Sequence, residues 1–223
     1  MKEGGIFDNA LKITGYFLMR KISKNITRTG EANLPTKFGK FKIFAYKTKH
    51  IPRGEHIALT LGNIRAETPV LTRIHSRCLT GDVFGSLRCD CGEQLVLSLE
   101  KISERGRGIV IYLDQEGRGI GLSNKIRAYA LQDRVFDTVS ANEHLGFAAD
   151  ERDFQIAAEI LTDLEISEVD LLTNNPRKIE SLRQAGILVK KRIPLQVRSN
   201  PHNYNYLLTK KQRLNHILCL PEL

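Results

Sequence analysis

The sequence predicts a mixed α/β (α+β) fold: a single compact domain of interleaved strands and helices around a mixed sheet. Short segments of alternating or continuous apolar residues read as strands, and segments with apolar side chains at three- and four-residue spacing lie between them. At 223 residues, the chain is long enough for one substantial core. With 41% hydrophobic and 26% charged residues, it has the profile of a globular protein rather than a disordered or fibrous one.

The segment Phe38-Gly39-Lys40-Phe41-Lys42-Ile43-Phe44 alternates apolar and polar side chains, as a half-buried strand does. Pro69 to His75 reads as another strand. From Gly92 a helix is expected, with Leu95, Leu99 and Ile102 on one face, closed by Gly106-Arg107-Gly108. Ile109 to Leu113 has the composition of a buried strand. Ser123 is the expected N-cap of a helix through Tyr129, and Ile156, Ile160 and Leu164 mark a helix over 153–164. Val169 to Thr173 is a short strand, and Asn174-Asn175-Pro176 starts a helix with proline where its missing N–H costs nothing. Residues 190–195 are expected as the last strand and 206–218 as the last helix. Clear strand patterns begin only after Pro35, so residues 1–30 read as an N-terminal extension and 31–223 as the folded domain.

The net charge of +9 is unevenly spread. Residues 1–50 hold 11 basic and 3 acidic side chains, 51–176 hold 13 and 20, and 177–223 hold 10 and 2. A protein gripping nucleic acid would carry a basic stripe through its core, whereas this chain has basic ends around an acidic middle. No apolar run approaches the roughly 18 residues of a membrane helix, and the first twenty residues do not read as a secretory signal. Neither nucleic acid nor a membrane is therefore expected as a partner, and a cytoplasmic location is.

Cys78, Cys89 and Cys91 form C-x10-C-x-C among charges and glycines, whereas a buried structural cysteine prefers apolar neighbours. A tight turn ending at Gly92 would converge them on a metal. A four-ligand zinc site wants another Cys or His nearby; Cys219 is remote, and His75 would serve only awkwardly from a strand. Three readings stay open on spacing: a catalytic zinc with three thiolates and a water, a structural zinc, or unmetallated core cysteines.

The run Glu116-Gly117-Arg118-Gly119-Ile120-Gly121 is neither a dinucleotide fingerprint nor a P-loop. By itself it reads as a strand-to-helix turn. At such a turn Glu116 and Arg118 would project into a cleft, where a carboxylate could accept two N–H bonds from a guanine edge and an arginine could hold phosphate. Lys178, at a helix N-terminus, opposes the helix dipole; a bound phosphate would explain it, and so would simple solvation.

Several longer motifs occur in order: Arg73-Ile74-His75-Ser76, Cys78-Leu79-Thr80-Gly81-Asp82, Ser86-Leu87-Arg88-Cys89-Asp90-Cys91-Gly92, Gln115 to Leu122, Asn124 to Asp133, Gly146-Phe147, Asp150-Glu151-Arg152-Asp153 and Leu172 to Pro176. Together they resemble the GTP cyclohydrolase II family over roughly residues 33–218. The resemblance implies zinc-dependent opening of the guanine imidazole ring of GTP, with loss of formate and pyrophosphate, as the first step toward riboflavin. It also implies one Zn²⁺ per subunit, Mg²⁺ with the triphosphate, and a homodimer.

Carried over residue by residue, the resemblance makes Cys78, Cys89 and Cys91 the zinc ligands. Arg73, Ile74, His75, Ser76, Arg77, Gln94, Glu116, Gly117, Arg118, Thr138, Thr173 and Lys178 become nucleotide contacts. Asp150 becomes the proton acceptor, Arg152 the residue acting at the α-phosphate as nucleophile or as electrostatic clamp, and Tyr129 lies beside the ring chemistry. Two positions depart from the family pattern: Arg77 stands where a Glu is usual and Asp114 where an Arg is usual. Together they invert sign, as a swapped bidentate ion pair would. Rival readings are a paralogue stopping at the formylated intermediate or serving a secondary pathway, and a zinc-stabilised nucleic-acid-binding module.

Overall fold

The computed structural model describes residues 25–49, 54–134 and 136–220. Its organising strand is β5 (Gly108–Leu113), whose apolar run is buried because it is flanked by strands at both edges and packed on both faces. It pairs antiparallel with β3 (Glu55–Leu61) and parallel with β4 (Val70–Ser76). Outward from β3 come β2 (Gly39–Thr48) and the edge strand β1 (Ile26–Thr36), both antiparallel. Outward from β4 come β6 (Glu168–Leu172) and β7 (Leu188–Ile193), both parallel. The sheet is therefore mixed, seven-stranded among the described residues, in the order β1-β2-β3-β5-β4-β6-β7.

Strand alternation divides the apolar side chains between two faces. Ile109, Ile111 and Leu113 join Val70, Ile74, Val169 and Leu171 in the larger cluster, packed by Ile156 and Ile160. Those two isoleucines lie on α5 (Gln155–Asp163), and Leu182, on α6 (Pro176–Gln184), adds to the same cluster. Val110, Leu71 and Leu172 point the other way, toward Ile102, Leu95 and Leu99 of α2 (Cys91–Arg105). Helices thus cover both faces of the parallel half. The other helices among the described residues are α1 (Leu79–Asp82), α3 (Gly121–Gln132), α4 (Ser140–His144) and α7 (Tyr204–Arg213), with a 3₁₀ turn at Glu116–Gly119.

Several local expectations change. Residues 26–30, assigned to the extension by sequence, belong to β1; residues 1–24 of that segment lie outside the described residues. β1 is mostly exposed and holds Pro35, which an edge strand tolerates, so its apolar signal is weak. β3 escapes notice because its buried face includes His56 and Thr60 beside Ala58. Ser123 is not an N-cap: the 3₁₀ turn, with Gly117 and Arg118 in the left-handed region, feeds directly into α3 at Gly121. The last helix ends at Arg213 rather than 218, since Asn215 adopts φ 54° and the His216 amide folds back onto the Lys210 carbonyl. Asn175 caps α6 as the sequence predicts, accepting from the Arg177 amide at 2.9 Å.

Candidate metal centre and adjoining anion cavity

The carboxyl ends of the parallel strands β4, β5 and β6 open at one edge, the usual place for a ligand on an open α/β sheet. Cys78 follows β4, and Cys89 and Cys91 lie at the start of α2. Two glycines make this packing possible. A Cβ on Gly92 would lie 2.3 Å from the Gly81 carbonyl oxygen, and one on Gly81 would lie 2.9 Å from the Cys89 sulfur. The three sulfurs consequently all lie within 4.8 Å of one another, with Cys78 and Cys89 at 3.7 Å. Tetrahedral zinc–thiolate bonds of ~2.3 Å place two sulfurs about 3.8 Å apart, so this spacing fits the ion.

Charge leads to the same conclusion. Hydrogen bonds from the Cys89 and Cys91 thiols, together with Lys125, hold Cys78 far below the usual thiol range. The negative charge on Cys78 in turn pushes the Cys89 and Cys91 thiols up. Full ionisation of three sulfurs this close together calls for a dication.

The surrounding polar groups fix this loop. Lys125 Nζ lies 3.2 Å from Cys78 Sγ and 2.7 Å from Glu116 Oε1. Glu116 accepts the Leu79 amide at 2.7 Å through its other oxygen, and the Gly117 amide at 3.0 Å through the first. Its carboxylate is thus occupied by its own chain, which ties the glycine turn to the cysteine loop. The buried Asp82 side chain gathers the Cys78 amide, the Tyr112 hydroxyl and His75 Nε2 within 3.1 Å. His75 binds Asp82, and burial pushes its pKa down. Cys219 is exposed; among the described residues the three cysteines are the one group that could hold a metal ion.

A cleft of about 630 Å³, including its open mouth, lies over the sulfurs and is lined by Tyr129, Thr138 and Arg77 among others. Tyr129 Oη lies 3.2 Å from Thr80 Oγ1, and burial raises its pKa. Arg118 donates to the carbonyl and hydroxyl of Thr138. Ser76, Cys91, Arg118, Arg152 and Tyr206 also border a second cavity of about 570 Å³.

That second cavity is cationic. Arg73, Arg118, Arg152, Lys178 and Lys210 line it, against the one carboxylate of Asp90. Arg73 donates to the Leu172 carbonyl and to Gln94, yet among the described residues its buried Nε has no partner, nor has the buried Ser76 hydroxyl. Lys178 donates to the Ile74 carbonyl at 2.8 Å, while the Ile74 side chain stays in the core. Burial, then Arg73, Arg152 and Lys210, push Lys178 well below the ordinary lysine range. Burial likewise pushes His216 down to about 2, with Lys210 adding to it. Thr173, whose hydroxyl accepts from the Asn175 amide, completes one wall. Arg73 and Lys178 are themselves buried, and an anion among these cations would offset their mutual repulsion.

Arg152 donates through Nε and Nη2 to both oxygens of Asp150 at 2.8 Å, and Arg177 adds a contact at 2.7 Å. Although burial opposes it, Arg152 holds Asp150 down to about 2. Burial also works against the Arg152 charge, but Asp150 outweighs it and raises the pKa further.

Arg77 and Asp114 do meet, because the Arg77 amide continues the β4–β5 pairing onto the Leu113 carbonyl. The contact is one hydrogen bond of 2.9 Å between half-exposed side chains, not the bidentate pair expected from sequence. Apart from Ile74, whose side chain is in the core, and Asp150, which lines neither cavity, the site residues singled out from sequence border these two cavities. Sequence reasoning missed Asp82, Lys125, Tyr206, Lys210 and His216. Of these, Asp82 and Lys125 lie inside motifs already singled out, but the C-terminal three carry no local signal.

Comparison with known proteins shows the family. A family model described as GTP cyclohydrolase II matches residues 27–194. The "GTP cyclohydrolase-2" of Buchnera aphidicola is 54% identical over 188 residues, covering 84% of this chain and 96% of that protein. The protein of the same name from Escherichia coli is 54% identical over 196 residues, covering 86% and 98%. Among solved structures, a two-domain 3,4-dihydroxy-2-butanone 4-phosphate synthase from A. baumannii aligns with a TM-score of 0.44 at 16% identity, over 78% of this chain and 40% of that one.

Proposed function

Because the chain belongs to the GTP cyclohydrolase II family, a family of hydrolases, we propose that it opens the guanine imidazole ring of GTP. Formate and pyrophosphate leave, giving 2,5-diamino-6-hydroxy-4-(5-phosphoribosylamino)pyrimidine for riboflavin synthesis. The observation that carries this reading is the shared border of the two cavities: a set of three thiols opens beside a buried polycationic chamber. A base bound over the sulfurs would leave its triphosphate among the cations.

Cys78, Cys89 and Cys91 would hold zinc, which supplies an activated water for hydrolysis at an electrophilic ring carbon. Lys125 and Glu116 hold the loop that presents those sulfurs, and Tyr129 offers a phenol beside the ring. Arg73, Arg118, Thr173 and Lys178 would bind the triphosphate, with Mg²⁺ arriving on the nucleotide. Arg152 acts as a clamp on the leaving pyrophosphate, because a guanidinium bonded twice to a carboxylate keeps its proton. Asp150 becomes a useful base only once phosphate draws Arg152 off it.

The proposed catalytic domain, expected over 31–223, also takes in the first residues of β1; the family match starts at residue 27. Among the described residues no helix is long and apolar enough to cross a membrane, and the proposed location is cytoplasmic. The exposed Val83, Phe84 and Leu87 offer apolar surface to a second copy in the proposed homodimer.

Incubation with GTP, Zn²⁺ and Mg²⁺, scoring formate and pyrophosphate separately, tests the reaction. Equal yields of both are expected from the protein, and Cys89→Ser should stay folded yet lose bound zinc and formate release. Pyrophosphate without formate would favour the partial reaction, and neither product would end the proposal.

A further inference from the structure

Lys210 reaches the cationic cavity from α7, near the end of the described chain. Three anchors hold its segment in place. Arg213 pairs with Asp137 and Glu143, the Ile217 amide donates to the Asn174 carbonyl at 2.8 Å, and Lys210 Nζ lies 2.6 Å from Asp90 Oδ1. The Lys210 side chain is 11% exposed and the Asp90 side chain 3%. Asp90 stands between two of the metal-ligand cysteines and also accepts from Gln94, which in turn holds Arg73.

An ammonium has three N–H donors, and Asp90 takes one of them. The face of the Tyr206 ring lies 4.4 Å from Nζ, leaving the remaining N–H groups to the cavity. A structural ion pair would explain Asp90 but not a lysine placed among four other cations, where its charge adds to the repulsion on Lys178. That arrangement is favourable when an anion of high charge fills the chamber.

We propose that Lys210 is a further polyphosphate-binding residue, supplied by α7, that selects a nucleoside triphosphate over its less phosphorylated forms. The proposal rests on the GTP reading above. Through Asp90, occupancy of the chamber also reaches the loop between Cys89 and Cys91, so a nucleotide lacking the distal phosphates would leave that loop's anchor unchanged.

The test compares inorganic tripolyphosphate and guanosine as calorimetric ligands, together with GTP kinetics, in the intact protein. Lys210→Met is expected to weaken tripolyphosphate binding about 10- to 100-fold, as loss of a charge-assisted hydrogen bond does. Guanosine binding should stay within about twofold, GTP should show raised KM more than lowered kcat, and Lys210→Arg should recover most of the affinity. Equal losses for guanosine and tripolyphosphate, or none for tripolyphosphate, would overturn the proposal. Should Lys210→Met not fold, hydrogen exchange in the unaltered protein decides: tripolyphosphate, not guanosine, should slow exchange over residues 204–217, and no slowing refutes it. A protein that binds tripolyphosphate but neither binds nor converts GTP would refute the GTP reading instead.

Discussion

Replacing Lys125 by methionine keeps the length of the side chain and removes only its ammonium. That ammonium lies 2.7 Å from Glu116 Oε1, in a pair whose side chains are 9% and 7% exposed. Deleting one partner of such a buried pair costs about 3–5 kcal/mol, because the other charge stays behind without compensation. Glu116 would keep the Leu79 and Gly117 amides, so the lower end, about 3 kcal/mol, is expected for Lys125→Met. In a domain of this size that is a melting-temperature drop of about 6–12 °C. Adding Glu116→Gln removes the stranded charge while leaving an oxygen for the Leu79 amide, and should recover about 2 kcal/mol. Urea unfolding of the metal-free proteins, with unchanged m values, measures both steps. A cost below about 1 kcal/mol for Lys125→Met, or a double variant no more stable than it, would refute this account of the pair.

Three further outcomes follow from the same geometry. Gly81→Ala meets no backbone strain, but its Cβ would lie 2.9 Å from Cys89 Sγ and 3.2 Å from Cys78 Sγ. Zinc affinity, read by chelator competition, should fall about tenfold or more, in line with ~1–3 kcal/mol for overpacking. Arg77→Glu should lower GTP turnover by no more than about fivefold, since a half-exposed pair contributes under ~1 kcal/mol. Arg77→Glu with Asp114→Arg should restore it, and a double variant no better than the worse single one would show that the two side chains are not partners. Asp150 is held down to about 2 in the folded protein, so its stabilisation is complete above the ordinary carboxylate pKa of ~4 and disappears as pH falls through 2. The stability gap between the unaltered protein and Asp150→Asn should accordingly shrink by about 2 kcal/mol between pH 5 and 2, measured by denaturant titration.

Much of the parallel half of the fold was legible from local pattern. β5 is an unbroken apolar run because it is covered on both faces, and α2 shows its packed side as Leu95, Leu99 and Ile102. Asn175-Pro176 announces α6 through capping chemistry that needs only its neighbours. β1 and β3 were not legible, since an edge strand with an exposed face and a strand burying His56 and Thr60 leave little apolar alternation.

The sequence by itself determined the cysteine cluster and the motifs, because cysteines with ten and one residues between them and a strand-to-helix glycine turn are short-range features. Only the tertiary structure decided what each charge does. Glu116 is committed to Lys125 and Leu79, Asp150 is locked by Arg152, and Lys210 joins Asp90 across 120 positions of chain. The physical reason is range: propensity and capping act within a helical turn, whereas a buried charge is governed by whatever partners the packing of distant segments brings within ~4 Å of it.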